Sequence, residues 1–277
     1  MSHDDRRSPD VSPAHSANRR TLSAALRGRL FFCKRSLDFP AEKTRFVSRH
    51  VLLTGFEPFG THPVNPSELL VRSFEGRVAG GRAIDIRVFP VETRTLRGRI
   101  ETALQETQPE FVIGLGYGPG RTALGLERIG VNLLDFEAPD AVGTVRKNDP
   151  IQRGGPDGRF ATLPLNEIVA AWAEIGVPGY VSESAGTYLC NQWLYDALAL
   201  TTNASPPIPV GFIHVPALPP QAVQLGADRT PSMTLDLMRR GIETAIETVA
   251  QWLEAKPAPA RATQQLWIPR GLRQVER

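Results

Sequence analysis

Between residues 50 and 254, short apolar runs alternate with longer amphipathic segments, and this alternation restricts the chain more than any single motif does. Strand-like runs fall near residues 50–54, 83–89, 110–115, 128–134, 178–182 and 208–214. Apolar side chains at helical spacing fall near 66–76, 92–107, 164–175, 188–200 and 231–254. Strands separated by helices are the pattern of a largely parallel sheet buried under helices, because each crossover must pack back onto the sheet. The predicted fold class is therefore α/β: a layered sandwich with a twisted, largely parallel central sheet. Reactive groups in such folds gather at the carboxyl ends of the strands. Two helix starts carry chemical signals. Asn65-Pro66-Ser67-Glu68 offers a cap, a proline at the first helical position and a glutamate three residues on, and Thr230-Pro231 repeats the cap and the proline.

The ends of the chain read differently. Residues 1–48 are rich in Ser, Arg and Asp without sustained periodicity, which reads as a disordered extension or a mis-assigned start, and Lys256-Pro257-Ala258-Pro259-Ala260 opens a second tail over 256–277. Residues 49–255 are then one catalytic domain. The charge follows the same division: residues 1–50 hold 11 Lys and Arg against 5 Asp and Glu, residues 256–277 hold 5 against 1, and residues 51–255 hold 16 against 23. The overall +3 thus conceals an acidic folded region with basic tails, which argues for solvated extensions rather than a nucleic-acid surface. No run approaches the length of a membrane-spanning helix, and no apolar stretch in the first 48 residues suits a secretory signal. Two cysteines, Cys33 and Cys190, give neither a disulfide framework nor a cysteine metal site, which fits the cytoplasm.

The chemistry concentrates around Ser184-Ala185-Gly186-Thr187-Tyr188-Leu189-Cys190-Asn191. A short strand over 178–182 gives way there to a helix, and with Thr187 as N-cap, Cys190 would sit in the first turn, where a thiolate is favoured and its pKa lowered. The same spacing also suits a small buried hydrophobe, since Leu194 shares its face. A nucleophilic thiol needs a base and a group to orient that base. His214 alone of the five histidines ends a buried strand, in Gly211-Phe212-Ile213-His214-Val215-Pro216. Glu127 stands at the mouth of an apolar strand, and composition alone leaves it equally an ion-pair partner of Arg121 or Arg128. The preceding run Gly114-Leu115-Gly116-Tyr117-Gly118-Pro119-Gly120-Arg121 matches no phosphate-binding pattern and reads as a flexible turn or as a place where a ligand nears the backbone.

Thr54-Gly55-Phe56-Glu57-Pro58-Phe59-Gly60, Leu126-Glu127-Arg128, the Cys190 segment and the His214 segment, in this order, resemble pyroglutamyl peptidase I, and Pro231-Ser232-Met233-Thr234-Leu235 resembles that family's last helix. The resemblance spans about residues 50–253. It implies a three-layer α/β/α fold, removal of an N-terminal pyroglutamyl residue from peptides, no metal or cofactor, and often a homotetramer. It also implies Cys190 as nucleophile, His214 as general base and acid, and Glu127 as the group that orients His214. Phe56 and Phe59 match the ring-lined substrate pocket, with Asn65, Tyr117, Tyr188 and Leu189 as further pocket positions. An uncharged lactam suits an apolar pocket with a few polar contacts, because an unpaired buried partner would penalise an analogue such as proline.

Three departures from the family pattern stand out. Tyr117 replaces a common Gln, Asp135-Phe136-Glu137-Ala138-Pro139-Asp140 replaces an Asp-Ala-Arg-Ile-Pro-Asp pattern so that Glu137 reverses a positive charge beside the pocket, and Gly60-Thr61 replaces a double glycine. The alternative these departures suggest is a ligand-binding homologue with weak or no catalysis. A nucleoside-phosphorylase-like enzyme shares the layered architecture, but the Cys190 and His214 motifs argue against it.

Overall fold

A strand buried on both faces presents alternate side chains to two different helical layers, and β1 (His50–Phe56) does so: Val51 and Leu53 enter one core and Leu52 and Phe56 the other. The computed structural model describes residues 49–60 and 63–255. The readings of the 1–48 extension, with Cys33, and of the 256–277 tail lie outside the described residues, as do Thr61 and His62. After β1 come α1 (Pro66–Arg72), β2 (Val78–Ala79), β3 (Arg82–Phe89), α2 (Thr93–Thr107), β4 (Phe111–Tyr117) and β5 (Leu124–Glu127). The chain continues through β6 (Ile129–Val131), β7 (Leu134–Phe136), β8 (Arg146–Asp149), β9 (Gly158–Phe160), α3 (Leu165–Glu174) and β10 (Gly179–Ser182). It closes with α4 (Leu189–Thr201), β11 (Val210–Val215), α5 (Pro219–Leu225) and α6 (Leu235–Ala255).

The central sheet has the order β10-β5-β11-β4-β1-β3-β2. Its pairs β1–β3, β1–β4, β4–β11 and β5–β10 are parallel, while β5–β11 and β2–β3 are antiparallel. Helices α1, α3 and α6 pack on one face and α2 and α4 on the other, which gives the expected three-layer α/β/α sandwich. On the α2/α4 side Trp193 is fully buried against Phe212, with ring centroids 5.4 Å apart, a pairing that adds about 1 kcal/mol to the area it removes from water. Close approach of α4 to β4 is possible because a Cβ on Gly114 would lie 2.5 Å from the Phe212 ring and 2.6 Å from the Trp193 ring.

Several sequence expectations need correction. The glycine-rich run is not a turn over its first part: Gly114 through Tyr117 finish β4, and the chain leaves the sheet only at Gly118. The single strand expected over 128–134 is broken: only β6 and the start of β7 fall there, because Glu127 already ends β5 and the chain leaves the main sheet at Arg128 for small antiparallel pairs with β9 and β8. The last helix begins at Leu235 rather than at Pro231. Met233 N–H is held by Ala217 O at 2.9 Å, which keeps this stretch extended, and the Thr234 hydroxyl then accepts from Leu237 N–H at 3.3 Å. The Asn65 cap is as expected, its side chain accepting from Ser67 N–H at 3.0 Å with Pro66 in the first turn.

Moving the helix start to Thr234 makes a specific prediction. Thr234→Ala should lower the unfolding free energy by about 1 kcal/mol, whereas Thr230→Ala should leave it nearly unchanged. Chemical denaturation of both variants checks this, and the opposite ranking would restore the earlier start.

Candidate active site

The alternation that builds the core also delivers His214 and Glu127 to one face. Along β11, Ile213 and Val215 enter the α1/α3/α6 core, so Phe212 and His214 point toward α4, where their rings stand 5.1 Å apart. Along β5, Leu124 and Leu126 enter the same far core, which leaves Gly125 and Glu127 beside His214. The antiparallel register sets His214 opposite Gly125. His214 Nδ1 and Glu127 Oε1 are 2.7 Å apart, and Glu127 is fully buried. A carboxylate only accepts, so we assign the imidazole proton to Nδ1, which leaves Nε2 as the basic nitrogen.

Cys190 is the second residue of α4. The N-cap is Tyr188 rather than Thr187, because the Thr187 hydroxyl donates outward to Asp135 O at 2.6 Å and Tyr188 has the extended backbone of a cap. Cys190 remains in the first turn, where N–H groups lack carbonyl partners within the helix. Asn191 fixes this end of α4: its Oδ1 accepts from Val131 N–H at 2.8 Å, and its Nδ2 donates to Val131 O and Leu133 O, both at 2.9 Å. A Cβ on Gly116 would lie 2.7 Å from Cys190 Sγ, so the bare β4 backbone makes the seat for the sulfur.

Electrostatics correct a second expectation. Burial pushes the Cys190 thiol up to about 12, the Glu127 charge adds to this, and Arg121 offsets it in part. Cys190 retains some exposure because it opens on a cavity, but the protein around it removes most of its hydration. The first-turn position therefore does not produce a resting thiolate. For His214, burial favours the neutral imidazole and moves its pKa down, the Glu127 hydrogen bond and charge resist, and Arg121 adds to the lowering. The resting pair is a thiol beside a neutral imidazole.

Cys190 and His214 line a cavity of about 530 Å³. Phe56, Phe59, Asn65, Tyr117, Tyr188 and Leu189, each expected at the pocket, line it as well. Phe59 and Tyr188 pack with centroids 5.8 Å apart, and Phe136 meets Tyr188 edge-on at 4.6 Å. Tyr188 Oη donates to Pro139 O at 3.2 Å, and burial followed by the charge of Asp140 raises this phenol to about 12, so it stays a donor. Asn65 is committed to the protein: Nδ2 donates to Glu57 O at 3.0 Å, and Oδ1 accepts from Ser67 Oγ at 2.8 Å as well as from its backbone N–H. It thereby clamps the loop between Phe56 and Phe59 onto the start of α1.

Arg121 was visible in the sequence only as a possible surface ion pair. Its Nη2 donates to Glu127 Oε1 at 2.8 Å, and its Nη1 to Tyr180 Oη at 2.6 Å and Ser182 Oγ at 3.2 Å. Glu127 Oε1 is thus shared between the His214 imidazole and the Arg121 guanidinium, so of the two arginines the sequence offers it as ion-pair partners, Arg121 is the one it meets. The signal for a partly buried arginine is its setting among Gly118, Gly120 and Gly125, of which Gly118 and Gly125 leave the space that the guanidinium fills.

Against known proteins, the chain matches the family model of pyroglutamyl peptidase over residues 49–252. The chain belongs to the pyroglutamyl peptidase family. A pyrrolidone-carboxylate peptidase of Coprothermobacter proteolyticus is 38% identical over 204 residues, covering 74% of this chain and 98% of that protein. One of Pyrococcus furiosus is 38% identical over 73% of this chain and 99% of its own length. Among solved structures, the pyrrolidone carboxyl peptidase from Thermococcus litoralis superposes with a TM-score of 0.72 at 37% identity, covering 74% of this chain and 95% of that one. The Bacillus amyloliquefaciens pyroglutamyl peptidase I gives 0.70 at 33% identity, over 73% of this chain and 97% of that one.

Of the departures from the family pattern, Tyr117 does line the cavity, but Glu137 does not. Glu137 is 89% exposed and faces Lys147 Nζ at 3.5 Å, because alternation in the β7 hairpin turns Phe136 inward and Glu137 to solvent, and Ala138 takes the cavity side. The thiol's environment is testable without substrate. In the ultraviolet thiolate band, the difference between wild type and Cys190→Ser should stay flat to about pH 8 and rise only above the ordinary cysteine range. A thiolate signal from Cys190 near neutral pH would contradict the effect of burial.

Proposed function

We propose that this chain hydrolyses the amide bond after an N-terminal pyroglutamyl residue of peptides, with Cys190 as nucleophile, His214 as base and acid, and Glu127 as the group that orients His214. The observation that carries the reading is that Cys190 and the Glu127-bonded His214 open on the same aromatic-walled cavity. Pyroglutamate has no charged amine, and the cavity offers a largely apolar body with the Tyr117 side chain at its lining. Burial raises the pKa of Tyr117, so its phenol stays uncharged at the cavity wall, as a neutral lactam requires. Phe56 and Phe59 would hold the two faces of the lactam, with Tyr188 and Leu189 closing the wall.

The reaction starts from the neutral pair. As Sγ attacks the pyroglutamyl carbonyl carbon, His214 Nε2 takes the thiol proton, so the raised thiol pKa is met by transfer within the complex rather than by a preformed thiolate. The tetrahedral oxyanion would be met by first-turn N–H groups of α4. His214 returns the proton to the leaving amine, the C–N bond breaks, and a thioester remains. Water then attacks that thioester with His214 as base, which releases pyroglutamate and restores the thiol. No step uses a metal or a cofactor. The intact His214–Glu127 bond favours this reading over a ligand-binding homologue without catalysis.

The same reading carries a cytoplasmic enzyme acting on small peptides, and a homotetramer that light scattering would register as four times the 30.4 kDa chain. Among the described residues no helix is long and apolar enough to cross a membrane. Cys190→Ala should abolish release of a fluorogenic amine from a pyroglutamyl amide with the circular dichroism unchanged, and prolyl and alanyl amides should be poor substrates of the wild type. Undiminished turnover by Cys190→Ala would sink the proposal. The pH profile gives a second check. Because burial lowers the pKa of His214, the base stays unprotonated below the ordinary imidazole value, and the acid limb of kcat/KM should have its midpoint below about pH 6.5. A midpoint above that value would contradict the assignment of His214 as a desolvated base.

A further inference from the structure

Arg121 reaches into the site, yet none of the hydrolytic steps above uses it. We propose that Arg121 is a positioning residue: its guanidinium pins the Glu127 carboxylate in the orientation that fixes His214, and holds the imidazole in its neutral, proton-accepting form. The catalytic consequence rests on the hydrolytic reading above.

The geometry is unusual for a surface ion pair. Glu127 is wholly buried, its Oε1 serves His214 Nδ1 and Arg121 Nη2 together, and its Oε2 is buried with no partner. A carboxylate held by the imidazole alone could turn about its own axis, whereas a second donor on the same oxygen removes that freedom. The guanidinium is itself fixed. Tyr180 Oη and Ser182 Oγ hold Nη1, Ser184 O accepts from Nη2 at 3.4 Å, and the charge sits 5.8 Å from the Tyr180 ring. Side chains on Gly118 or Gly125 would occupy its place. The cost of burying this carboxylate is thus offset by a partner whose own donors are tied to β10 and the loop after it.

The sign of the effect follows from the charges around His214. Facing it are Glu127 from β5, Arg121 from the β4–β5 connection, Cys190 from α4 and Tyr117 from β4, with Tyr180 of β10 behind Arg121. Cys190 and Tyr117 are protonated near neutral pH, burial raising both. The Glu127–Arg121 pair therefore sets the local potential. Without Arg121, the buried carboxylate would face the imidazole alone and draw a proton onto it, and an imidazolium cannot accept the proton of Cys190. With Arg121 present, that pull is shared and the guanidinium opposes a second positive charge.

The test compares Arg121→Met, which keeps length and removes charge, with Arg121→Lys. Two readouts are needed: kcat and KM for a pyroglutamyl amide across pH, and the NMR titration of the His214 imidazole, its resonance identified by its loss in His214→Asn. In Arg121→Met, kcat near neutral pH should fall about tenfold or more with KM within about twofold. The acid-limb midpoint and the His214 titration should both move up by about one pH unit, and Arg121→Lys should recover part of the shift. A loss of amplitude with neither midpoint moved would mean that Arg121 only supports the fold, and would overturn the proposal. If Arg121→Met does not fold, Arg121→Gln carries the same comparison. A wild type that does not turn over the amide would defeat the hydrolytic reading, while the NMR titration would still decide the placement of Arg121.

Discussion

A single buried carboxylate oxygen, Glu127 Oε1, accepts from an imidazole at 2.7 Å and from a guanidinium at 2.8 Å. A charge removed from water without partners costs several kcal/mol, so the surrounding structure has to supply both donors and the space to hold them. Gly118 of the β4–β5 connection and Gly125 of β5 give the space, β11 gives the imidazole, and β10 gives the Tyr180 and Ser182 oxygens that tie the guanidinium down. The active-site end of the sheet is arranged around this requirement, with β5 lying between its two partner strands.

Strand alternation then decides which side of the sheet carries chemistry. Ile213, Val215, Leu124 and Leu126 fill the α1/α3/α6 core, while His214 and Glu127, one residue out of phase with them, meet the start of α4. Moving either strand by one residue would send the imidazole or the carboxylate into hydrocarbon. The antiparallel β5–β11 contact sets this register, for it places Gly125 opposite His214 and leaves Glu127 one step away on the same face.

The fold and the candidate site are legible in the sequence to different depths. Long apolar runs such as β4 and β11 and the Asn65-Pro66 cap were readable because local chemistry determines them. The short strands β6 to β9 were not, since each is stabilised by a partner distant in the chain rather than by its own pattern. Thr230-Pro231 imitates a helix start, but the stretch pairs with Ala217 through Met233 N–H, and the helix begins after Thr234. At the site, the family resemblance carried by the motifs implies one pocket for Cys190, His214 and the rings of Phe56 and Phe59, and all four line the same cavity. The state of the thiol is not legible in the sequence, because the helix terminus is a local property while burial and the charge of Glu127 come from other strands. Arg121 went unassigned for the same reason, its partners lying at Glu127, Tyr180 and Ser182.

Asn65 joins two tasks in one side chain, ending α1 through Ser67 and holding the Glu57 carbonyl between the two phenylalanines. Fraying at the first turn of α1 would release the clamp on that loop and loosen the aromatic wall along with the helix. Mutational drift at this helix terminus is consequently visible twice, once in the stability of α1 and once in the shape of the cavity wall, and neither property can be retuned there without moving the other.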